Sequence, residues 1–368
     1  MQRVGASTLA VSLPNEWVKS VGLKRGDTIF FEQEKDRTLR IITVKQTSEE
    51  QAKTIEINAD ICKDPKKLSR ILMGVYALGY DIVNVVSDQR LNIEQMDKIR
   101  DVTRELMGLG IMEESPNHVL VQCSIDLTKF PIHTLLRRLY IIASTMHREV
   151  INSLSERDVK LAEEAMRRKK EAEMMFWVIV RLLNSCQKDK KASMKLKIEN
   201  PMQILWYHLA AQYLRLIADW AEKIAEKAVA LRKASDVMGE VIGEQLLKDM
   251  IEINERAYSV CHMAVNSFFS TDADLANQTI EKYDDIQKAE EQLQEDICSH
   301  AYLLGKSFSV SKYFKGRNPM EPCVVAQISF LIMGARRIAE LGSEIAEIAI
   351  HKLLCGQTKI CKENPIEI

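Results

Sequence analysis

Eight of the first 47 residues are basic: Arg3, Lys19, Lys24, Arg25, Lys35, Arg37, Arg40 and Lys45. Five acidic residues oppose them, leaving a local charge of +3. Lysine and arginine neutralise phosphates, the sequence-independent term in affinity for duplex DNA. Two more basic clusters follow far along the chain. Lys188, Lys190, Lys191, Lys195 and Lys197 form one; Lys306, Lys312, Lys315 and Arg317 form the other. Both read as solvated loops, the alternative being a surface for an acidic partner or nucleic acid. A third pattern is local: Arg215 with Asp219, and Arg336 with Glu340. Opposite charges four residues apart share a helix face, and such pairs contribute about 0.2–0.5 kcal/mol.

Other chemistry is hard to assemble. The seven histidines are dispersed, and His147 and His208 read as packed or surface residues of helices. Cysteines at 62, 123, 186, 261, 298, 323, 355 and 361 form no Cys-x-x-Cys pair. A disulfide framework or zinc ribbon needs tighter spacing, so these read as reduced cytosolic thiols. Cys62 and His118 stand alone and read as structural. No Ser-His-Asp, Cys-His or paired-carboxylate arrangement has a supporting motif, and no Gly-rich phosphate loop appears. The reading is a non-enzyme with no catalytic residues and no cofactor.

Composition agrees with an ordinary globular chain of two or three domains: 368 residues, with 51 basic against 52 acidic. That balance excludes a wholly basic nucleic-acid coat while leaving room for a small basic module. The longest apolar run, 174–180, stops at Arg181, far short of the roughly 20 residues that cross a bilayer. The expectation is a cytoplasmic protein, without membrane insertion, that reaches membrane processes through a partner.

Three pieces must position these residues. Within 1–47, Thr8 to Leu13 alternates as a half-buried strand does. Pro14 suits a first helical turn, Gly22 a position just past a helix end, and Lys24 to Asp27 a turn. Strands follow at 28–32 and 39–44. So short a piece cannot bury a sufficient core alone, which predicts pairing with a second copy. Residues 50–128 alternate strand and helix signals: strands at 54–61, 81–86 and 118–125, helices at 66–78 and 93–109. A small α/β module is predicted.

From Phe130 the pattern is helical and repeats. Asn152, Ser153, Asp158, Leu161 and Ala162 recur 114 residues later as Asn266, Ser267, Asp272, Leu275 and Ala276. Arg215, Ile217, Ala218, Ile224, Ala225 and Glu226 recur 121 residues later as Arg336, Ile338, Ala339, Ile345, Ala346 and Glu347. Ordered matches at two close offsets indicate a duplicated unit. The extra seven residues fall between its second and third helices, where 305–322 reads as a loop. The predicted helices are 133–153, 156–186 and 201–232, then 238–269, 272–304 and 323–354. They form tandem three-helix bundles at 130–233 and 236–355. Small residues seven apart (Ala218 and Ala225, Ala339 and Ala346) let helices approach closely, and Leu, Ile and Met fill the core. The fold class is mainly α with a smaller α+β N-terminal part.

The run Tyr213-Leu-Arg-Leu-Ile-Ala-Asp-Trp-Ala-Glu-Lys-Ile-Ala-Glu226, doubled as above, resembles the third-helix motif of the PhoU family of phosphate-uptake regulators. The resemblance spans 130–355. Residues 1–47 resemble an AbrB/SpoVT-type swapped-hairpin domain, through Ser7 to Pro14, Trp17 to Leu23 and Lys24 to Asp27. The combination, with Leu136 to Tyr140 and Arg104 to Ile111, is similar to archaeal phosphate-uptake regulators and implies an archaeal origin. PhoU proteins can hold metal on carboxylates, with Glu-x-x-x-Asp on the third helix. Here the Glu position is Arg215 and Arg336, and the neighbouring His position is Trp220 and Leu341. The second helix's acidic pair falls on Lys169 and Glu173, then Tyr283 and Gln287. Only Asp219 and Glu340 remain of the third-helix ligands, so no metal is expected. Arg3 and Lys19 fall where AbrB-type domains carry DNA-contacting basic residues, while Val18 and Ala10 replace two others.

The resemblance implies a dimeric DNA-binding transcriptional regulator of phosphate uptake or homeostasis, contacting DNA through Arg3, Lys19, Lys24 and Arg25. The alternative is an adaptor that uses its N-terminus only to dimerise and acts on a phosphate transporter or signalling protein. Expected partners are therefore a second copy, duplex DNA and such a protein.

Overall fold

The computed structural model describes residues 2–4, 8–33, 38–43, 52–124, 126, 129–188, 190–238, 243–304 and 322–355, and the chain divides into two units, Met1–Ala52 and Lys53–Ile368. In the first, β1 (Gln2–Val4) pairs antiparallel with β2 (Thr8–Ala10). The sequence reading began at Thr8 and missed β1, because three residues are too few to show a period. Helix α1 (Asn15–Ser20) follows Pro14. The expected turn closes with Asp27 N donating to Lys24 O (3.1 Å) and Lys24 N donating to Asp27 Oδ2 (2.7 Å). Strands β3 (Ile29–Gln33) and β4 (Leu39–Thr43) form a second, separate hairpin. Among the described side chains of this unit none is buried. Val11 is 70% exposed, Phe31 59% and Leu39 61%. Lys35, Arg37 and Lys45 lie outside the described residues.

The second unit begins with a four-stranded sheet. Strands β5 (Thr54–Asn58), β6 (Ile82–Val86), β7 (Leu109–Ser115) and β8 (His118–Cys123) lie in the order β5-β6-β8-β7, with β5 and β6 parallel and the rest antiparallel. Alternation decides which face is covered: Ile57, Val83, Val85, Val119 and Val121 are buried. The module's helices bury Leu68, Leu72, Val75 and Tyr76 from α2 (Pro65–Ala77), and Ile99 and Val102 from α3 (Ile93–Glu105). Asp64 caps α2, and an Asn92–Gln95 capping box starts α3. The sequence reading carried α3 to 109. In fact it stops at Glu105, Gly108 turns the chain at φ +82°, and β7 begins at Leu109.

Six long helices follow: α4 (Ile132–Glu156), α5 (Val159–Lys188), α7 (Pro201–Met238), α8 (Glu244–Ser270), α9 (Ala273–Leu304) and α10 (Pro322–Leu354). Helices α4, α5 and α7 pack as one bundle, and α8, α9 and α10 as the next. The duplication extends to backbone geometry. Helix α4 ends on Arg157 and α8 on Thr271, both left-handed (φ +58° and +56°) and 114 residues apart. Asp158 and Asp272 then accept from the first amides of α5 and α9. One basic segment read as a loop is partly a short helix, α6 (Lys190–Lys195), followed by a turn. Ala192, Leu196 and Ile198 are buried there, so apolar anchors hold the segment while Lys195 and Lys197 face outward. The second basic segment, with Lys306, Lys312, Lys315 and Arg317, lies outside the described residues.

Equivalent helices of the two bundles meet: α4 on α8, and α7 on α10. The first seam is partly polar. His147 Nε2 bonds Asn254 Oδ1 (3.0 Å), Tyr140 Oη bonds His262 Nδ1 (2.8 Å), and Arg148 pairs with Glu255 (2.5 Å). His147 is fully enclosed, and burial pushes its pKa down to about 4 despite the Asn254 bond. The unfolded chain protonates this imidazole near 6.5. Between pH 6.5 and about 4 the unfolded state therefore binds more protons, and stability falls as pH falls, by about 3 kcal/mol over the window. The pKa values of His133 and His208 are also lowered, mainly by burial, and act in the same direction. Thermal melts across this range should show a steeper loss for the native chain than for His147→Gln.

Candidate functional site

The ion pairs expected along α7 extend onto α5. Lys169 Nζ lies 2.5 Å from Asp219 Oδ1 and bonds Glu173 within its own helix. Arg215 Nη1 lies 3.2 Å from Glu173 Oε1 and 3.4 Å from Asp219 Oδ2. Its guanidinium also rests 5.0 Å from the Phe176 ring. Two cations and two carboxylates thus bridge two helices in place of a simple pair on one helix. Burial alone would lower the Lys169 pKa, yet hydrogen bonds to Asp219 and Glu173 outweigh it and raise it. Glu222, one turn beyond Asp219, is pushed upward, chiefly by burial and further by its acidic neighbours, against the pull of Lys169. The sequence held the i,i+4 spacings of this cluster. The α5–α7 crossing that joins them is a tertiary contact no spacing encodes.

The second bundle answers with different residues. Arg336 lies 3.5 Å from both Glu290 and Glu340, and Arg337 Nη1 lies 2.5 Å from Glu340 Oε2. Neither cluster fits a carboxylate-held metal. Hard and borderline cations bind oxygen at roughly 2.0–2.6 Å, and in the first bundle Lys169 Nζ already stands in that space beside Asp219. Among the described residues no group of three or more His, Cys, Asp or Glu could hold a metal ion.

The predicted DNA-contacting residues are distributed over three elements of the first unit. Lys19 is exposed on the last turn of α1, and Lys24 and Arg25 are exposed in the following turn. Arg3 is in β1, registered with Leu9 of β2, and its side chain lies outside the described residues. The side chains of Lys188, Lys190 and Lys191 lie outside them too.

The family comparison falls on the first bundle. Residues 136–228 match a model described as the PhoU domain, from the second turn of α4 to late α7. That match covers 93 of the 368 residues. Lys169, Glu173, Arg215 and Asp219 all lie within it. Residues 2–49 match a second model, described as "Antidote-toxin recognition MazE, bacterial antitoxin". Among solved structures, the crystal structure of PhoU from Pseudomonas aeruginosa is similar, with a TM-score of 0.48 and 18% identity over 61% of this chain and 96% of that chain. No curated protein sequence matches. Among the described residues, no helix is long and apolar enough to cross a membrane.

One residue of the matched segment was missed by the sequence reading as a positioning group. Arg181 on α5 is buried, and its guanidinium donates to Tyr76 O (2.8 Å), Tyr80 O (2.7 Å) and Asp81 Oδ1 (2.7 Å). Asn184 adds a bond to Ala77 O (2.9 Å). Tyr76 O and Ala77 O belong to the last turn of α2, whose C-terminal dipole favours a cation, and Tyr80 O and the Asp81 carboxylate follow that turn. Asp81 in turn accepts from the amide of Lys53 (3.0 Å), the first residue of the second unit. A signal did exist: an arginine flanked by Val-Ile-Val and Leu-Leu cannot be on a solvated face. Arg181→Met should cost about 2–3 kcal/mol in denaturant unfolding, since it strands buried acceptors, and should speed hydrogen exchange at the Lys53 amide. The exposed control Lys160→Met should stay within about 0.5 kcal/mol of the native chain.

Proposed function

We propose that this chain is a dimeric, DNA-binding regulator of phosphate uptake or homeostasis. The observation that carries the reading is the union, on one chain, of a PhoU domain at 136–228 with a small basic N-terminal unit whose described side chains include none that is buried. A two-stranded hairpin is marginal by itself, and this unit has two; Phe31 and Leu39 of the second, and Val11 just after β2, are open to solvent. A second copy would cover Val11, Phe31 and Leu39 and so provide the missing core. Pairing also doubles the positive charge and gives it the two-fold symmetry of a palindromic site.

Arg3, Lys19, Lys24 and Arg25 are the residues proposed to meet the DNA backbone. The exposed positions of Lys19, Lys24 and Arg25 support their part in it. The PhoU domain and the bundle after it would then carry phosphate status to this module through protein contacts.

Two measurements test the reading. Light scattering on the full chain should give a dimer or a larger species, and a monomer would remove the shared core. Binding of duplex DNA, followed by anisotropy across a salt series, should weaken steeply as salt rises. Reversing Lys24 and Arg25 to Glu removes four cations per dimer, so the log–log slope should flatten by about 3.6 at roughly 0.9 per phosphate contact, with dimerisation intact. Reversing Lys188, Lys190 and Lys191 should leave DNA affinity within about twofold, because under this reading none of them contacts a phosphate. If the second set abolishes binding and the first does nothing, the N-terminal unit is only a dimeriser and the adaptor reading replaces this one.

A further inference from the structure

We propose that Lys169 and Arg215 are built-in counter-cations that seal a latent divalent-cation site between α5 and α7, so that the first bundle holds its ion-paired state without metal. The argument begins from charge. Glu173 and Asp219 bring two negative charges together across a helix pair, and partly buried carboxylates need compensation. One divalent ion could supply it. The chain supplies it instead with an ammonium 2.5 Å from Asp219 and a guanidinium 3.2 Å from Glu173 and 3.4 Å from Asp219. Two fixed monovalent charges replace one mobile divalent charge, and they occupy the space it would need.

The second bundle supports this independently. At the repeat offsets, Lys169 and Glu173 correspond to Tyr283 and Gln287, so one cation and one carboxylate are lost. Each is replaced from one position away or one turn away. Arg337, beside Arg336, contacts Glu340, and Glu290, one turn past Gln287, contacts Arg336. Both bundles thus arrive at two cations against two carboxylates by different residues. The quantity common to the two is the balance, which suggests that balance is what the bundle requires.

Covalently tethered cations cannot dissociate. A metal-held bundle would respond to chelators and to metal supply, whereas this one stays bridged whatever the metal concentration. The proposal is independent of the DNA-binding reading and concerns the bundle alone.

The test uses the full chain, dialysed against a chelator and titrated with Mn²⁺. The native protein should bind none in calorimetry, and its melting temperature should not move. Lys169→Glu combined with Arg215→Glu should bind at least one Mn²⁺ per chain, at least about tenfold tighter than the native chain, with the melting temperature rising on binding. Should that variant fail to fold, Lys169→Met decides. It should melt lower than the native chain in chelator and recover part of the loss in Mn²⁺. Stoichiometric metal in the native chain that disappears with Asp219→Asn overturns the proposal. So does a variant with native circular dichroism that neither binds Mn²⁺ nor is stabilised by it.

Discussion

The close approach of α7 to α10 is the contact on which the helical unit depends. Ala218, Ala221 and Ala225 on α7 and Ala335 and Ala339 on α10 are fully buried, and small residues let helix axes come within the short end of the usual 8–10 Å. Gly334 marks the tightest point: a β-carbon there would lie 2.6 Å from Ile224 Cγ1. Because the third helix of each repeat is committed to this seam, the second helix of each is left on the outside. Helix α5 uses that freedom to receive the α/β module through Arg181, while α9 packs mainly on α8 and α10. The duplicated halves therefore share a core and differ in what their outer helices do.

That division explains what was legible in the sequence. The six long helices, their approximate bounds and the repeat came through because they are carried by local period and by caps. Asp158 and Asp272 start equivalent helices, and the alanines seven apart mark a buried face. The ion-paired residues were legible as i,i+4 partners along α7 and α10. The bridge from Lys169 to Asp219, and the clamp from Arg181 to Tyr76, Tyr80 and Asp81, join residues 50 to 105 positions apart, and no periodicity reports such distances. Short elements failed for another reason. Strand β1 and helix α6 are too brief to show a period, and the segment of α6 and the turn after it hides three buried apolar residues, Ala192, Leu196 and Ile198, among lysines that dominate the composition.

Arg181 and Lys169 lie on the same outer helix, twelve residues apart, so α5 joins two kinds of bridge. At one end it is tied to α7 through the four-charge cluster. At the other it holds the end of α2 and, through Asp81, the backbone at Lys53 where the second unit begins. A change in how α5 sits against α7 has a short mechanical route to that point, made of a rigid helix and directed hydrogen bonds. Replacing a dissociable ion by tethered charges would make the α7 end of that route permanent, so any signal carried by the bundle would have to enter elsewhere than by metal exchange.

The two units also differ in what holds them folded. The second has a continuous buried core running from the β-sheet through both bundles, and its stability belongs to a single chain. The first has no buried side chain among those described, so under the dimer reading its order is tied to association and to concentration. Dilution would then erode the N-terminal unit while the helical unit stays intact, because mass action touches only the part whose core is shared. A chain built this way can lose the order of its N-terminal unit without losing its helical body. The same physical fact, a module too small to bury its own apolar side chains, would make the dimer, under that reading, the folded state of the module.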